Sequence, residues 1–419
     1  MDDRVLIYGI NYAPEIAGVG RYTGEIGGHL ASLGCDVHVV TAPPHYPGWR
    51  VKAPYSAARW ITEQVAGATV HRCPIYLHKK MSGVYRLLAP FSFALSSAPV
   101  ALFHAFRHRP DVVLAIEPTL FTAPMALAVA KFAGAKSVLH VQDLEIDAAF
   151  AMGHLGGGTL GTIARALEQV VLRRFDRVIT ISSRMVEKLA KKGVRPERIT
   201  LVRNWVDLSL VKPAKKSLGY RQELGLGATD FIALYSGNIG AKQGVRLLVE
   251  VARQLASEPR LVIVVAGEGP MRSELETAAQ SLPNLRIFDF QPEARFGEFL
   301  SIADLHVLPQ EREAADLMLP SKLGGLLASG RPVIVTAEAG TELGEFLDGS
   351  CVLTAPGDAG ALANAILAAS QTLPCAKREA QRLQLAGTLS KDLGIQRFTY
   401  AVLFLQAGTP AAESVRQSA

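Results

Sequence analysis

The sequence has few of the residues that build disulfide scaffolds or cysteine metal sites. Its 419 residues include four widely spaced cysteines without a CxxC pair, namely Cys35, Cys73, Cys351 and Cys375. This spacing predicts reduced thiols and argues against both a disulfide framework and a bound metal. The first residues also lack a basic leader followed by a long apolar run, so we expect no signal peptide.

Long apolar runs are scarce as well. No uninterrupted apolar span reaches the ~18 residues that a transmembrane helix needs, so none is predicted and a cytoplasmic protein is expected. Segment 81–109 comes nearest, because it is apolar over much of its length and ends in a basic RHR sequence. Two interpretations stay open for it. In the first, which is slightly favoured, the segment forms core helices that are broken near Pro90 and Pro99. In the second, it lies in the interface of an anionic membrane.

What the sequence does contain is a large apolar fraction and an uneven charge. Hydrophobic residues make up 49% and charged residues 20% of a chain too long for one ordinary core, which predicts a globular protein of two domains. Residues 1–205 carry 24 Lys and Arg against 15 Asp and Glu. Two explanations of this excess are equally good. The basic half faces an anionic surface or substrate, or the excess is an ordinary scatter of surface charge. No matching motif accompanies the excess, so nucleic acid is not an expected partner.

Both halves contain an apolar strand followed by a glycine-bearing loop and a helix. A strand at 5–10 leads to Gly18 and Gly20, and a strand at 231–237 leads to the loop 238–244. Glycines let backbone N–H groups approach an anion at a helix start, where the helix dipole favours negative charge. The pattern predicts Rossmann-type βαβ units with phosphate-binding turns.

A further βαβ unit is predicted near residue 320. An apolar strand ends at Leu308, Ser321 fits a helix cap, and a helix over about 322–329 would stop at Gly330 in a left-handed conformation. An apolar strand begins at Val333. Ligands bind such units where helix N-termini face the carboxyl ends of the strands.

The same residues carry a family resemblance. The sequence ASGRPVI at 328–334 resembles a signature of glycosyltransferase family 4, and Asp316 with LPSKL at 319–323 resembles the branch that builds bacterial surface polysaccharides such as colanic acid. The resemblance implies the α/β GT-B fold, in which two Rossmann-like domains face each other across a cleft and a C-terminal helix crosses back. It places an acceptor domain at 1–207, a linker at 208–229, a donor domain at 230–392 and a crossover helix with tail at 393–419.

The resemblance also implies a donor site for a nucleotide sugar. Its expected residues are Gly18, Gly20, Gly237, Asn238, Lys242, Gly267, Glu268, Gly269, Asp316, Ser321 and Lys322. Two glutamates common in the family would fall on Leu317 and Gly325, so both carboxylates are missing here. Lys242 and Lys322 are the cations expected to meet the donor diphosphate.

Candidate catalytic residues follow the strand at 136–142. Asp143 stands where the family often has an Asp, whereas Gln142 replaces the usual His and His140 lies two positions earlier. We therefore expect Asp143 or His140 to act on the acceptor. Glu145 and Asp147 are interpreted as a solvated acidic loop.

The implied activity is retaining transfer of a sugar from a nucleoside diphosphate sugar to a lipid-linked, polyprenyl diphosphate acceptor. Neither a cofactor nor a metal is expected, and peripheral contact with the inner face of the plasma membrane is an alternative to a purely cytoplasmic location. Two other functions stay open. A GT-B sugar-nucleotide epimerase would interconvert the donor without acceptor. A non-catalytic scaffold subunit, suggested by the missing glutamates, would bind the donor without turnover.

Overall fold

The computed structural model describes residues 3–15, 18–46, 48–51, 53–78, 84–117, 121–144, 159–312 and 319–404. The chain divides into two compact units. The first comprises Met1–Val202 and Ile395–Ala419, and the second comprises Arg203–Gly394. Each unit is built on a sheet with helices, as the two predicted Rossmann-like domains require.

The described part of the first unit contains an eight-stranded sheet in the order β3-β4-β2-β1-β5-β6-β7-β8. All neighbours are parallel except the pair β3 and β4. Its strands are β1 (Arg4–Tyr8), β2 (Asp36–Thr41), β3 (Ile61–Val65), β4 (Ala68–Arg72), β5 (Val112–Ile116), β6 (Lys136–Val141), β7 (Arg177–Thr180) and β8 (Ile199–Leu201). The helices described in the first 202 residues are α1 (Gly18–Ser32), α2 (Val84–Arg107), α3 (Ala123–Ala133), α4 (Thr159–Leu172) and α5 (Ser183–Lys191).

The second unit contains a parallel sheet in the order β11-β10-β9-β12-β13-β14. Its strands are β9 (Phe231–Ser236), β10 (Leu261–Ala266), β11 (Leu285–Phe288), β12 (Leu305–Leu308), β13 (Val333–Thr336) and β14 (Val352–Thr354). Its described helices are α6 (Leu218–Glu223), α7 (Arg246–Gln254), α8 (Arg272–Ala279), α9 (Phe296–Ser301), α10 (Leu323–Ala328), α11 (Glu342–Phe346), α12 (Ala359–Gln371) and α13 (Ala376–Thr388).

The last described helix, α14 (Lys391–Leu403), begins at the end of the second unit and belongs to the first unit from Ile395 onward. Continuous apolar runs explain the central strands. In β10, for example, every residue of LVIVVA is buried, because helices cover both faces of a parallel sheet. Such a sheet leaves the carboxyl ends of its strands as the edge at which loops can hold a ligand.

Two predictions about helices are corrected. The helix α2 runs through Pro90 and Pro99 without a break, since packing against α3 and β2 compensates for the backbone donors that proline lacks. Ser321 does not cap α10. Lys322 occupies the cap position in a helical conformation, without a side-chain hydrogen bond.

The structure also bears on two other local predictions, the helix end at Gly330 and the linker at 208–229. Gly330 ends the α10 segment at φ +73°, as predicted from its tolerance of the left-handed region. Residues 208–229, predicted to be a linker, belong to the second unit and contain α6. The fully buried Arg221 of α6 donates to the carbonyl of Ile302 and to the carboxylate of Asp304, so this segment packs as part of the unit.

Candidate functional site

The carboxyl edge of the second sheet is built from glycines that bring two turns into close contact. Gly237 follows β9 with φ +144°, and Gly267 follows β10 with φ +153°. A Cβ atom on Gly267 would lie 1.8 Å from the carbonyl oxygen of Gly237. The two turns are further joined by the amide of Gly237, which donates to the carbonyl of Ala266 at 2.9 Å. Only glycine allows this approach, so the predicted residues Gly237 and Gly267 lie together.

The next residues of the same turns are also in contact. Ile239 N–H donates to the carbonyl of Glu268 at 2.7 Å. Gly269 has φ +155°, and a Cβ atom there would lie 2.8 Å from Oδ1 of Asn238. The structure therefore brings Asn238, Glu268 and Gly269, which were predicted from distant parts of the sequence, to one place beside Gly237 and Gly267.

Lys322 reaches this place from the segment before α10. Its Nζ atom lies 3.7 Å from the centroid of the Tyr235 ring, and a Cβ atom on Gly237 would lie 3.0 Å from it. Nζ is buried and has no hydrogen-bond partner in the part of the chain that the structure describes. Burial lowers the pKa of Lys322 to about 7. An amine held this way can accept a proton and donate to an incoming anion.

The remaining predicted donor residues are placed differently. Lys242 is exposed on the 3-10 turn Ala241–Gln243, and Ser321 is exposed beside Lys322. The carboxylate of Glu268 accepts from Arg272 at 2.8 Å and is oriented by that ion pair. Asp316 lies outside the described residues, as does Leu317.

Gly325 marks one position of the missing glutamates. It lies within α10 and is buried. A Cβ atom there would meet the ring of Phe296 at 3.5 Å and Cδ1 of Leu300 at 3.7 Å. A carboxylate at this position would face apolar groups. The local packing therefore suits the glycine at position 325 and disfavours the glutamate of the family pattern.

Gly18 and Gly20 lie at the start of α1 in the first unit, where a buried carboxylate already occupies the space nearest to Gly20. A Cβ atom on Gly20 would lie 2.2 Å from Oε2 of Glu15. Oε1 of Glu15 accepts from the backbone amides of His45 and Tyr46, each at 3.0 Å. Gly20 therefore has a packing role beside Glu15. A phosphate contact at Gly18 and Gly20 stays a prediction.

The proline-rich loop after β2 carries His45, for which the sequence permits either a substrate contact or a structural role, and this histidine is 4% exposed. Its Nδ1 atom lies 2.9 Å from the carbonyl oxygen of Pro43 and 3.7 Å from Glu15. These contacts favour the structural interpretation.

The candidate catalytic residues lie at the carboxyl end of β6. His140 is 1% exposed, its ring packs edge to face on Phe398, and burial lowers its pKa to about 3. Its buried Nδ1 atom has no partner among the described residues. Gln142 likewise has a buried Nε2 atom without a described partner, whereas Asp143 is only half-buried. Asp143 is thus the more accessible of the two predicted catalytic residues. Glu145 and Asp147 lie outside the described residues.

The sequence interpretation missed Glu117, which directly follows β5. Its amide donates to the carbonyl of His140 at 3.0 Å, so it lies at the same sheet edge. Glu117 is 3% exposed, and burial together with the negative charges of Glu168 and Asp143 raises its pKa to about 8. A carboxyl group that is protonated near neutral pH can donate a hydrogen bond or a proton. Its only sequence signal was an acid directly after an apolar strand.

A cavity of about 450 Å³ lies elsewhere in the second unit, along α7 and α8. It includes Gln310 and Gly244 at one end and the exposed pair Arg246–Glu274 on its wall. None of the predicted donor residues lines it. Most of the predicted donor residues that the structure describes lie instead at the turns around Lys322, and donor binding there stays a prediction.

Comparison with known proteins gives the family. Residues 17–205 match the family model described as glycosyl transferase 4-like domain, and residues 230–372 match that of glycosyl transferases group 1. A protein of Escherichia coli K12 named as a colanic acid biosynthesis glycosyl transferase, WcaI, is 42% identical over 352 residues, which cover 82% of this chain and 86% of that protein.

Solved structures show the same fold at low sequence identity. The HepE protein of Anabaena in complex with UDP has a TM-score of 0.67 and 16% identity, covering 95% of this chain and 98% of that one. A glycosyltransferase from Rickettsia africae has a TM-score of 0.69 and 14% identity, covering 96% and 98%. With two parallel-sheet units and these matches, the chain has the GT-B fold and belongs to glycosyltransferase family 4, within which it resembles the colanic acid biosynthesis enzymes.

Proposed function

We propose that this glycosyltransferase moves a sugar, with retention of the anomeric configuration, from a nucleoside diphosphate sugar to a lipid-linked acceptor in surface polysaccharide biosynthesis. The relative WcaI, named for colanic acid biosynthesis, supports the polysaccharide role. The UDP complex of HepE supports a nucleotide sugar as the donor. The observation that carries the proposal is the buried amine of Lys322 beside the glycine turns of β9 and β10.

Lys322 would bind the donor diphosphate. The amine lies where an isolated charge is unfavourable, so a phosphate oxygen that supplies the missing partner gains a charge-assisted hydrogen bond. Negative charge grows on the diphosphate as the bond to the sugar breaks, and an ammonium fixed before that step stabilises it without reorganisation. The exposed Lys242 adds a second cation from the loop after β9. No cofactor is assigned to this step.

The acceptor would bind at the carboxyl edge of the first sheet. Asp143 is the residue that we propose to contact the acceptor hydroxyl, and Glu117 supplies a carboxyl group that is protonated near neutral pH. The neutral form of Glu117 can donate a hydrogen bond to a sugar oxygen, whereas the carboxyl oxygens of Asp143 can accept one. His140 remains a proposed catalytic residue of lower accessibility.

The outward face of α2 supports a lipid-linked acceptor. The segment Leu88–Arg107 is apolar and long enough, by length and composition, to cross a membrane, although 39% of its most apolar stretch is buried. Exposed apolar residues recur along it every three or four positions, namely Tyr85, Leu88, Phe91, Leu95, Pro99, Phe103 and Phe106. Most buried positions are smaller or more polar, including Ala89, Ser97, Ala101 and His104, whereas Phe93 is the one large aromatic residue that the described part of α2 buries.

This helix therefore turns its more apolar face outward. Leu95 is 61% and Phe106 is 65% exposed, and the basic residues Arg107 and Arg109 are exposed at the end of α2. An apolar stripe beside cations is the pattern of a helix that lies in the interface of an anionic membrane. We propose that α2 docks on the anionic membrane surface that holds the acceptor.

Thermal-shift measurements against UDP-, GDP-, ADP- and dTDP-sugars test the donor. One nucleotide class should raise the Tm of the wild type by mass action, and Lys322→Ala should reduce that rise. A flat response to every donor would overturn the nucleotide-sugar proposal. With the donor known, transfer of label to a polyprenyl-diphosphate-linked oligosaccharide tests the acceptor. Conversion of the donor without acceptor would favour an epimerase instead.

Flotation with liposomes tests the membrane contact. The wild type should float with vesicles containing phosphatidylglycerol and less with pure phosphatidylcholine. The double variant Phe103→Gln/Phe106→Gln should stay in solution. Leu373→Gln, which changes a 94% exposed leucine in the second unit, is the matched control and should float like the wild type. Equal flotation of all three proteins would show that the outward face of α2 does not bind the membrane.

A further inference from the structure

Four histidines meet at the amino-terminal edge of the first sheet, away from the edge that carries Glu117 and Asp143. His38 lies near the start of β2, His71 lies on β4, and His104 and His108 lie at the end of α2. The ring centroids of His38 and His108 are 4.1 Å apart, those of His71 and His104 are 4.5 Å apart, and those of His104 and His108 are 4.6 Å apart. The glycosyltransferase reaction proposed above uses none of these residues.

From this geometry we infer that His38, His104 and His108, together with Asp36, form a structural binding site for a divalent transition metal, with zinc as the best fit. One ring nitrogen from each of the three histidines lies within 4.8 Å of the others. Oδ1 of Asp36 lies 3.3 Å from Nε2 of His38. Ligands bonded to tetrahedral zinc at ~2.0–2.1 Å are about 3.3–3.4 Å apart, so small side-chain adjustments would complete the set.

The residues behind His38 support this assignment. Nδ1 of His38 lies 3.2 Å from Nε2 of His71, and Nδ1 of His71 lies 3.0 Å from Oγ1 of Thr62. If each Nδ1–H donates along this chain, Nε2 of His38 keeps its lone pair and points to Asp36. Metal-binding histidines characteristically donate their second ring nitrogen in this way, which fixes both tautomer and orientation.

His104 supplies a second, independent observation. It is 1% exposed, and its Nδ1 atom is buried without a hydrogen-bond partner among the described residues. An unpaired buried ring nitrogen is costly, and a metal ion would supply the missing partner.

The space at the cluster also fits a single ion. A cavity of about 10 Å³, close to the volume of one water-sized sphere, lies there. It is lined by Arg4, Val5, Leu6, Asp36, His38, His104, His108 and Pro110. The guanidinium of Arg4 is the one cation in this lining, and its charge is offset because Asp111 accepts two hydrogen bonds from it at 2.8 and 3.1 Å.

Imidazole nitrogens with one carboxylate suit zinc better than magnesium or calcium, which prefer oxygen ligands. Because the site joins β2 to the end of α2, a bound ion would fasten that helix to the sheet. The sequence predicted no metal, since that expectation considered cysteine spacing, and these histidines are spread over seventy residues of chain.

Metal analysis of the purified full-length protein tests the inference. After chelation and dialysis against Zn²⁺, the wild type should hold one zinc per chain, and Zn²⁺ should raise its Tm. Substitution with Co²⁺ should give the visible absorption of a tetrahedral site. His108→Gln and Asp36→Asn remove ligands and should weaken zinc binding by about a hundredfold and about tenfold or more, respectively. Thr62→Val should weaken it by about tenfold through His71 and His38.

The matched control is His78→Gln, a histidine of the same unit outside the cluster, which should bind zinc like the wild type. Asp36 is exposed, so Asp36→Asn should fold even if a buried histidine variant does not. A folded wild type without stoichiometric zinc, or an unchanged affinity in His108→Gln, would overturn the site. An unchanged affinity in Asp36→Asn would overturn the four-ligand arrangement.

Discussion

Lys322 and Tyr235 form a cation–π pair, with Nζ of Lys322 3.7 Å from the ring centroid. The hydroxyl of Tyr235 donates to the carbonyl of Asn238 at 2.5 Å, which orients the ring from the turn after β9. The ring face attracts a cation but cannot replace a counter-ion in a buried site. The amine is therefore held in position while its pKa is lowered to about 7, and a bound anion would restore its full charge.

Replacing Lys322 by methionine tests this role directly. Methionine keeps most of the apolar stem and removes the ammonium. Loss of a charge-assisted hydrogen bond costs about 1.5–3 kcal/mol, so the affinity for the nucleoside diphosphate sugar should fall roughly 10- to 100-fold in isothermal titration calorimetry. Lys242→Met, which changes an exposed lysine on the neighbouring loop, is the comparison and should cost less. A larger loss of donor affinity in Lys242→Met than in Lys322→Met would assign the diphosphate contact to Lys242.

Donor binding should also depend on pH. A free-state pKa near 7 means that Lys322 is half protonated at neutral pH, and a bound diphosphate should keep it protonated. Binding should then take up a proton above pH 7, and affinity should fall by up to about tenfold per pH unit as pH rises from 7 toward 9. Calorimetry in buffers of different ionisation enthalpy measures the uptake. Lys322→Met should abolish it, and an uptake that persists in this variant would assign the proton to another group.

The close approach of Gly267 to Gly237 predicts a large effect of a single methyl group. Gly267→Ala places Cβ 1.8 Å from a carbonyl oxygen at φ +153°, so both a clash and backbone strain follow. We expect the free energy of unfolding to fall by about 2–4 kcal/mol and the donor-induced rise in Tm to disappear. Gly219→Ala is the control, because nothing lies within 4 Å of that position in α6. Its Tm should be unchanged or slightly higher. A Gly267→Ala variant that melts at the same temperature as the wild type would contradict the packing argument.

Sequence patterns predicted the parts of the fold that local chemistry determines. The apolar run at 261–266 forms a buried strand, and Gly330 has the positive φ angle that its position after a helix indicated. The patterns could not show which side of a helix meets the core. On α2 most of the larger apolar residues face outward while Phe93 packs inside, and the helix continues through Pro90 and Pro99.

Residues whose properties arise from distant neighbours were also missed. Glu117 is unremarkable in sequence, but its raised pKa depends on Glu168 and Asp143, which approach it only in the folded sheet. His38 and His104 meet only because β2 lies beside the end of α2. Such clusters are products of tertiary structure, so spacing along the chain gives only a partial sign of them. His104 and His108 are four residues apart, a spacing that puts two side chains on one helix face, whereas His38 comes from a distant strand.

Glu117 itself gives a prediction about stability and pH. Its pKa is raised from 4.5 to about 8, so between these values the folded state keeps a proton that the unfolded state has lost. Stability must then decrease as pH rises through this window, by roughly 1.4 kcal/mol per pH unit from this group. Glu117→Gln removes the ionisable group while keeping a hydrogen-bond donor. The variant should therefore gain stability relative to the wild type as pH increases from 6 to 8.

Melting temperatures of both proteins from pH 5 to 9 measure the difference. Glu197→Gln, which changes an exposed glutamate of the same unit, is the control and should follow the wild type at every pH. Transfer activity gives a second readout. If neutral Glu117 donates to the acceptor, wild-type activity should decline above pH 8, and the glutamine variant should retain binding of the acceptor at that pH. Parallel pH profiles of stability for Glu117→Gln and the wild type would show that Glu117 is ionised in the folded protein, because only a protonated carboxyl group produces the predicted divergence.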